Sequence, residues 1–144
     1  MRMLPQNHFA LAAVVTLVAV VLFYPDLDIM ETVVWVLAAG IIAALIDLDV
    51  IILVRMKAKD DPDLEPWASP MDVTKDLTSF LVLLHRKGLL RIVKWTHLAS
   101  AVVASLVGYF LLPSLFIPIF IGAWSHLATD VPYLWRIGKA AKTP

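Results

Sequence analysis

The chain has 144 residues, enough for one domain, yet 60% of them are hydrophobic and the mean hydropathy is +0.83. That composition excludes an ordinary soluble domain and predicts an all-α integral membrane protein. The 12 basic and 12 acidic residues cancel, so no net field draws a nucleic acid. With no cysteine, disulfides, thiolate metal sites and Cys nucleophiles are all excluded, and His and Asp remain as the strong ligands in the apolar segments.

Residues 9–24 are almost pure hydrocarbon and lack a small-x-small cleavage pattern before Pro25, so they predict a retained first span rather than a signal peptide. His8 stands at its start. Pro25-Asp26-Leu27-Asp28 breaks the helix, and a second span follows over 32–54, carrying Asp47 and Asp49. Neighbours two apart point about 200° apart on a straight helix, so either the helix is distorted there and both aspartates face one site, or one of them serves a different role.

Composition changes over 55–94. Residues 55–70 are charged and broken by prolines, a loop outside the membrane. Residues 72–94 regain helical periodicity, with Leu77, Phe80, Leu81, Leu84, Leu89, Ile92 and Val93 opposite Lys75, Asp76, Arg86, Lys87, Arg91 and Lys94. This predicts an amphipathic helix lying on the bilayer surface, carrying His85 and Arg86, with Gly88 as a potential break. The third span, 95–112, opens on Trp95-Thr96-His97 and carries small residues suited to close helix contact. Pro113-Ser114 turns the chain into a fourth span over 115–135, which carries Pro118 and Pro132 and ends on Tyr133, Trp135 and Arg136, before a basic tail.

Counting spans from one end puts the amino terminus, residues 55–94 and the carboxyl tail on one face. Every Lys and Arg falls there: Arg2, Arg55, Lys57, Lys59, Lys75, Arg86, Lys87, Arg91, Lys94, Arg136, Lys139 and Lys142. The opposite loops hold only Asp26, Asp28 and Glu31. By the positive-inside rule the basic face is cytoplasmic, which predicts a multi-pass protein of the cell (inner) membrane with both termini inside.

Hairpin arithmetic fixes depth, because antiparallel helices rising about 1.5 Å per residue place residues equidistant from the turn at similar heights. Around Asp28, His8 lies level with Asp47 and Asp49. Around Pro113, His97 lies close to the level of His126 and Asp130, which are four apart and share one helical face. The expected outcome is a polyhistidine and carboxylate site near the cytoplasmic boundary, with His8, Asp47, His97, His126 and Asp130 as metal ligands and Asp49 as ligand or orienter. Clustering of polar residues at a membrane interface is the plain alternative for His8 and His97; a hydrogen-bonded core pair is the plain alternative for His126 and Asp130.

At these residues the chain resembles the LexA-regulated, membrane-bound metal-dependent hydrolase family (the YdjM type). Asn7-His8, the LPDxDH-like run Leu45-Ile46-Asp47-Leu48-Asp49, and Gly122-x-x-x-His126-x-x-x-Asp130 fit its motifs in order and spacing. Ile46 replaces the family's proline and Val50 its histidine. The HRxxTHS-like element is split between His85-Arg86 and Thr96-His97. The resemblance implies a divalent metal held by His and Asp, and hydrolysis of a phosphoester or lipid-linked substrate.

Imidazoles with carboxylates suit zinc first, with manganese or iron also compatible, as one or two ions. In that reading Arg86 holds a substrate phosphate and His85 protonates the leaving group. A site opening among headgroups favours an anionic phospholipid or polyprenyl phosphate over a soluble substrate. A second class stands beside the hydrolase: a noncatalytic metal-binding or scaffold subunit. A transporter of so few spans calls for a homo-oligomer and polar residues across the bilayer, and the outer halves of these spans have almost none.

Overall fold

The structure, a computed structural model, describes residues 5–140, with side chains through Asp130. Arg2 and the last four residues, Lys142 among them, lie outside the described residues, as do the side chains of Pro132, Tyr133, Trp135, Arg136 and Lys139. The described chain is all helical: α1 (Pro5–Phe23), α2 (Ile29–Ile46), α3 (Leu48–Lys57), α4 (Pro70–Lys75), α5 (Leu77–Arg86), α6 (Leu89–Leu111) and α7 (Phe116–Ala140). Two short 3-10 turns, Pro62–Trp67 and Pro113–Leu115, complete it. Among the described residues, three helical stretches are long and apolar enough to cross a membrane: Pro5–Phe23, Ile29–Lys57 and Leu89–Leu111.

The turns form where polar and proline residues require them. Asp28 caps α2 by accepting a bond from the Glu31 amide at 2.8 Å, and the Glu31 carboxylate accepts from the Asp28 amide at 3.4 Å. This reciprocal pair satisfies two of the amides that a helix start leaves open. Proline opens the turn before α7, where its missing N–H costs no intrahelical bond.

α1 packs on α2 and α7, and α6 packs on α7. The buried stripe of α1 is narrow, running His8, Ala12, Thr16, Val20 at four-residue spacing, while Val14, Leu17, Val18, Val21 and Leu22 stay exposed. α2 buries Ala39, Gly40, Ala43 and Ile46 and likewise exposes Val33, Val34, Leu37 and Ile41. Small inward residues let backbones close up, and bulky apolar side chains cover the outside, the pattern of helices solvated by lipid. The two backbones come close at Gly122 of α7: a Cβ there would collide with the carbonyl oxygen of Ala39 on α2. Glycine at that position sets the α2–α7 spacing.

The second apolar run is broken at Asp47, a turn residue (φ −60°, ψ −16°) joining α2 to α3. Of the two alternatives for the paired aspartates, the chain therefore takes the distorted helix.

The segment 72–94 departs from expectation. It forms no single surface helix: Asp76 accepts from the Ser79 amide at 3.1 Å to start α5, and Gly88, in the left-handed region (φ 70°), ends the helical path. Residues 89–94 become the first turns of α6, which begins well before Trp95. The apolar stripe is covered by protein rather than free to enter lipid, since Phe80, Leu81, Leu84, Leu89, Leu90 and Val93 pack with Val50, Val54, Leu64 and Val73. An apolar face needs only to leave water, and α3 with the 3-10 turn supplies the partner.

Lys87 ties that turn to the α5–α6 junction, with Nζ 2.8 Å from Asp61 and 2.7 Å from Asp63. The hydrogen bond from Lys87 holds the Asp61 carboxyl below its ordinary range, and the same bond raises the Lys87 ammonium.

Candidate metal centre

Six ionisable side chains from helices far apart in sequence meet where α1, the α2–α3 break, α6 and α7 converge. His8, His97, His126 and Asp130 are 2%, 3%, 1% and 7% exposed; Asp47 and Asp49 are half-buried. The His8 and His126 rings are 4.0 Å apart and those of His97 and His126 5.2 Å. The structure brings the six expected side chains into one region, and four of them, His8, Asp47, His126 and Asp130, form a group that could hold a metal ion.

Local bonds orient two of the three rings. The Thr129 hydroxyl lies 2.8 Å from the His126 carbonyl and 3.2 Å from His8 Nδ1. His8 thus meets Thr129 through Nδ1 and turns Nε2 toward Asp130 Oδ1, 3.3 Å away. His97 Nδ1 donates to Asp49 Oδ2 at 2.8 Å, and its Nε2 lies 3.4 Å from Asp130 and 3.8 Å from Asp47. His126 Nε2 lies 3.2 Å from Asp130 Oδ2 and 3.6 Å from Asp47 Oδ1. A carboxylate or hydroxyl behind an imidazole is the usual device for orienting a metal-binding histidine.

The break at Asp47 is what lets both aspartates serve His97. Asp49 holds its outer nitrogen and Asp47 stands near its inner one. A straight helix would have turned one of them away.

These separations discriminate between a hydrogen-bonded core and a coordination shell. Buried His8 Nε2, both nitrogens of His126, Asp47 Oδ2 and Asp49 Oδ1 make no hydrogen bond. An unpaired buried polar atom costs about 1–3 kcal/mol, so several in one spot need a common explanation. Donor atoms about 2.1 Å from a tetrahedral ion lie about 3.4 Å from one another. The five inner N···O distances run from 3.2 to 3.8 Å, near that edge length. His8, Asp47, His126 and Asp130 each offer one ligand atom within 4.8 Å of the other three. The group of two imidazoles and two carboxylates therefore could hold a divalent cation, with His97 beside it.

His85 and Arg86 are not brought to this cluster. They end α5, half-buried and exposed respectively, and no hydrogen bond or ion pair among the described residues links either to the six. Of the two split elements, the His97 one reaches the site. Sequence reasoning missed Thr129, whose signal was a hydroxyl one position before Asp130. It also passed over Gly122 as a spacing residue.

Beside the cluster lies an apolar cavity of about 160 Å³, reached by Asp47, His97 and Asp130 at one end. Comparison of the chain with protein-family models, with curated proteins and with solved structures finds no match.

Proposed function

We propose that this chain is a membrane-embedded, metal-dependent hydrolase acting on a phosphoester or lipid-linked substrate at the cytoplasmic face. The observation that carries the reading is the convergence of imidazole nitrogens and carboxylate oxygens at ligand-to-ligand spacing. In this reading α7 is a fourth span beside the three apolar stretches. All basic residues then sit on the inner side, in the cell membrane of a bacterium or archaeon. The resemblance to the LexA-regulated metal-dependent hydrolases rests on the residues that supply the cluster.

Zinc is the ion best suited to this donor set; manganese and iron accept it too. When bound, a divalent ion polarises a phosphoryl oxygen and acidifies a water molecule. The chain's own part is to present His8, His97 and His126 through Nε2, each backed or confined by neighbours. Thr129 and Asp49 hold two of those rings in register. Asp130 offers one oxygen toward His8 and the other toward His97 and His126. A role for Arg86 on the substrate phosphate, and for His85 as proton donor, rests on the resemblance alone.

The test is elemental analysis of detergent-purified protein beside His126→Ala and Asp130→Ala, followed by phosphate release from a panel of lipid phosphates with and without added metal. Stoichiometric metal lost in both variants, with metal-dependent phosphate release, supports the hydrolase. Metal bound without any turnover points to a noncatalytic metal-binding subunit; metal-free, well-folded protein sinks both.

A further inference from the structure

The cavity next to the cluster has two chemically distinct ends. At one stand Asp47, His97 and Asp130; the rest of its wall is hydrocarbon, including Ile51, Val73, Leu77, Phe80, Leu81 and Val93. The remaining polar side chain in the lining is Thr74, which is exposed and, with exposed Leu48, marks the opening. Among the described residues, the side chains that line the cavity are therefore apolar apart from Asp47, His97, Asp130 and Thr74.

We propose that this cavity receives the first carbons of a single-chain alcohol whose phosphate lies against the metal cluster: a prenyl or alkyl phosphate, not a diacylglycerol phosphate or a sugar phosphate. The proposal rests on the metal-centre reading and names its substrate class. About 160 Å³ is close to the size of an apolar cavity that accepts a six-carbon ring, about 150 Å³. One to two isoprene units fill it, and the rest of the chain leaves by the mouth into the bilayer. A glycerol backbone would bring two ester carbonyls, and a sugar several hydroxyls, against a wall that offers them no partner, which burial penalises. A hydrocarbon attached directly to the phosphate oxygen carries no such groups. Charge matches as well, since a dianionic phosphate needs the cation to approach Asp47 and Asp130. Hydrolysis there balances simply: water forms the new P–O bond, the bond from phosphorus to the alcohol oxygen breaks, and a proton from that water ends on the released alcohol.

The test is photocrosslinking on the full chain, metal-loaded in nanodiscs, using an alkyl phosphate that carries a diazirine about six carbons from phosphorus. Label is expected on residues 73–81, mapped by mass spectrometry. Farnesyl phosphate should compete at least about tenfold better than methyl phosphate or dioleoyl phosphatidic acid, because only the single chain gains the cavity's apolar contacts. Leu77→Trp fills the slot and should abolish that label while metal content stays at the unsubstituted level, which also reports folding; the competition series needs no variant. Label spread over the outward face of α1, or equal competition by phosphatidic acid, overturns the proposal. If label enters the cavity but no phosphate is released, the ligand class stands and hydrolysis fails. If phosphate is released equally from diacyl lipid, hydrolysis stands and this proposal fails.

Discussion

Replacing His126 by leucine sets the coordination reading against a structural one, because the two demand opposite signs. The imidazole is 1% exposed and neither ring nitrogen makes a hydrogen bond. A buried polar group without a partner costs about 1–3 kcal/mol, and a leucine of similar bulk removes that cost while keeping the packing with α1 and α6. In the presence of a chelator, His126→Leu should therefore be more stable than the unsubstituted protein by about that amount, a few degrees in Tm. Metal reverses the order. A ligand at about 100 times its Kd stabilises the folded state by about 2.7 kcal/mol, and the variant, lacking the central ligand, gains none of it. The assay is thermal unfolding in detergent, followed by tryptophan fluorescence, with EDTA and then with zinc at saturation. Crossing of the two curves is the expected result. A variant that melts lower even in EDTA would show that the imidazole stabilises the apo fold by itself, and the argument from unpaired nitrogens would be refuted.

Gly122→Ala should lower metal affinity at least about tenfold without touching a ligand. Its Cβ collides with the Ala39 carbonyl, and restoring a C···O contact of about 3.3 Å moves α2 from α7 by roughly 1 Å, beyond the about 0.2 Å latitude of a metal site; isothermal titration measures it. Asp49→Asn should weaken binding about 10–100-fold yet leave stoichiometric uptake at high metal, as expected of a residue that orients His97, whereas Asp130→Asn should lose the ion at all concentrations tested. Protons compete with the cation for the same lone pairs, so metal content after dialysis should fall as pH is lowered from about 7.5 to about 5.5. The Asp61–Lys87 pair gives a separate pH signature: Asp61 is held low, so its contribution is full above the ordinary carboxylate range and is lost as pH falls through the lowered value. Hydrogen exchange over Pro62–Trp67, corrected for intrinsic rate, should rise in that acid range and in high salt, and Lys87→Ala should show the same rise already at neutral pH.

The site was more legible in the sequence than the packing around it. Proline marks both turns at the far side, with aspartates in the first, and a constant rise per residue then puts His8 beside Asp47, and His97 beside His126, without any knowledge of contacts. What periodicity does not show is the break at Asp47, because AALIDLDVII stays uniformly apolar on both sides of it. Nor does an amphipathic stripe say what covers it: Phe80, Leu84 and Val93 satisfy the same pattern against Val54 and Leu64 as they would against acyl chains. The role of Thr129 depends on His8, 121 residues away, and that of Gly122 on the backbone of Ala39. Neither relation leaves a local trace.

The candidate ligands come from α1 and α7 as well as the α2–α3 break. A ribosome making this chain exposes His8 long before Asp130 exists, so under the proposed function an ion would find its full cage only after α7 has joined the other helices. Loading would thereby be a late step of assembly. Once in place, the ion would act as a clasp across almost the whole polypeptide, holding α1, which otherwise packs on α2 and α7 through small residues. A chelator should then free the outermost helix first, and membrane quality-control proteases would meet the metal-starved form with its amino-terminal segment adrift.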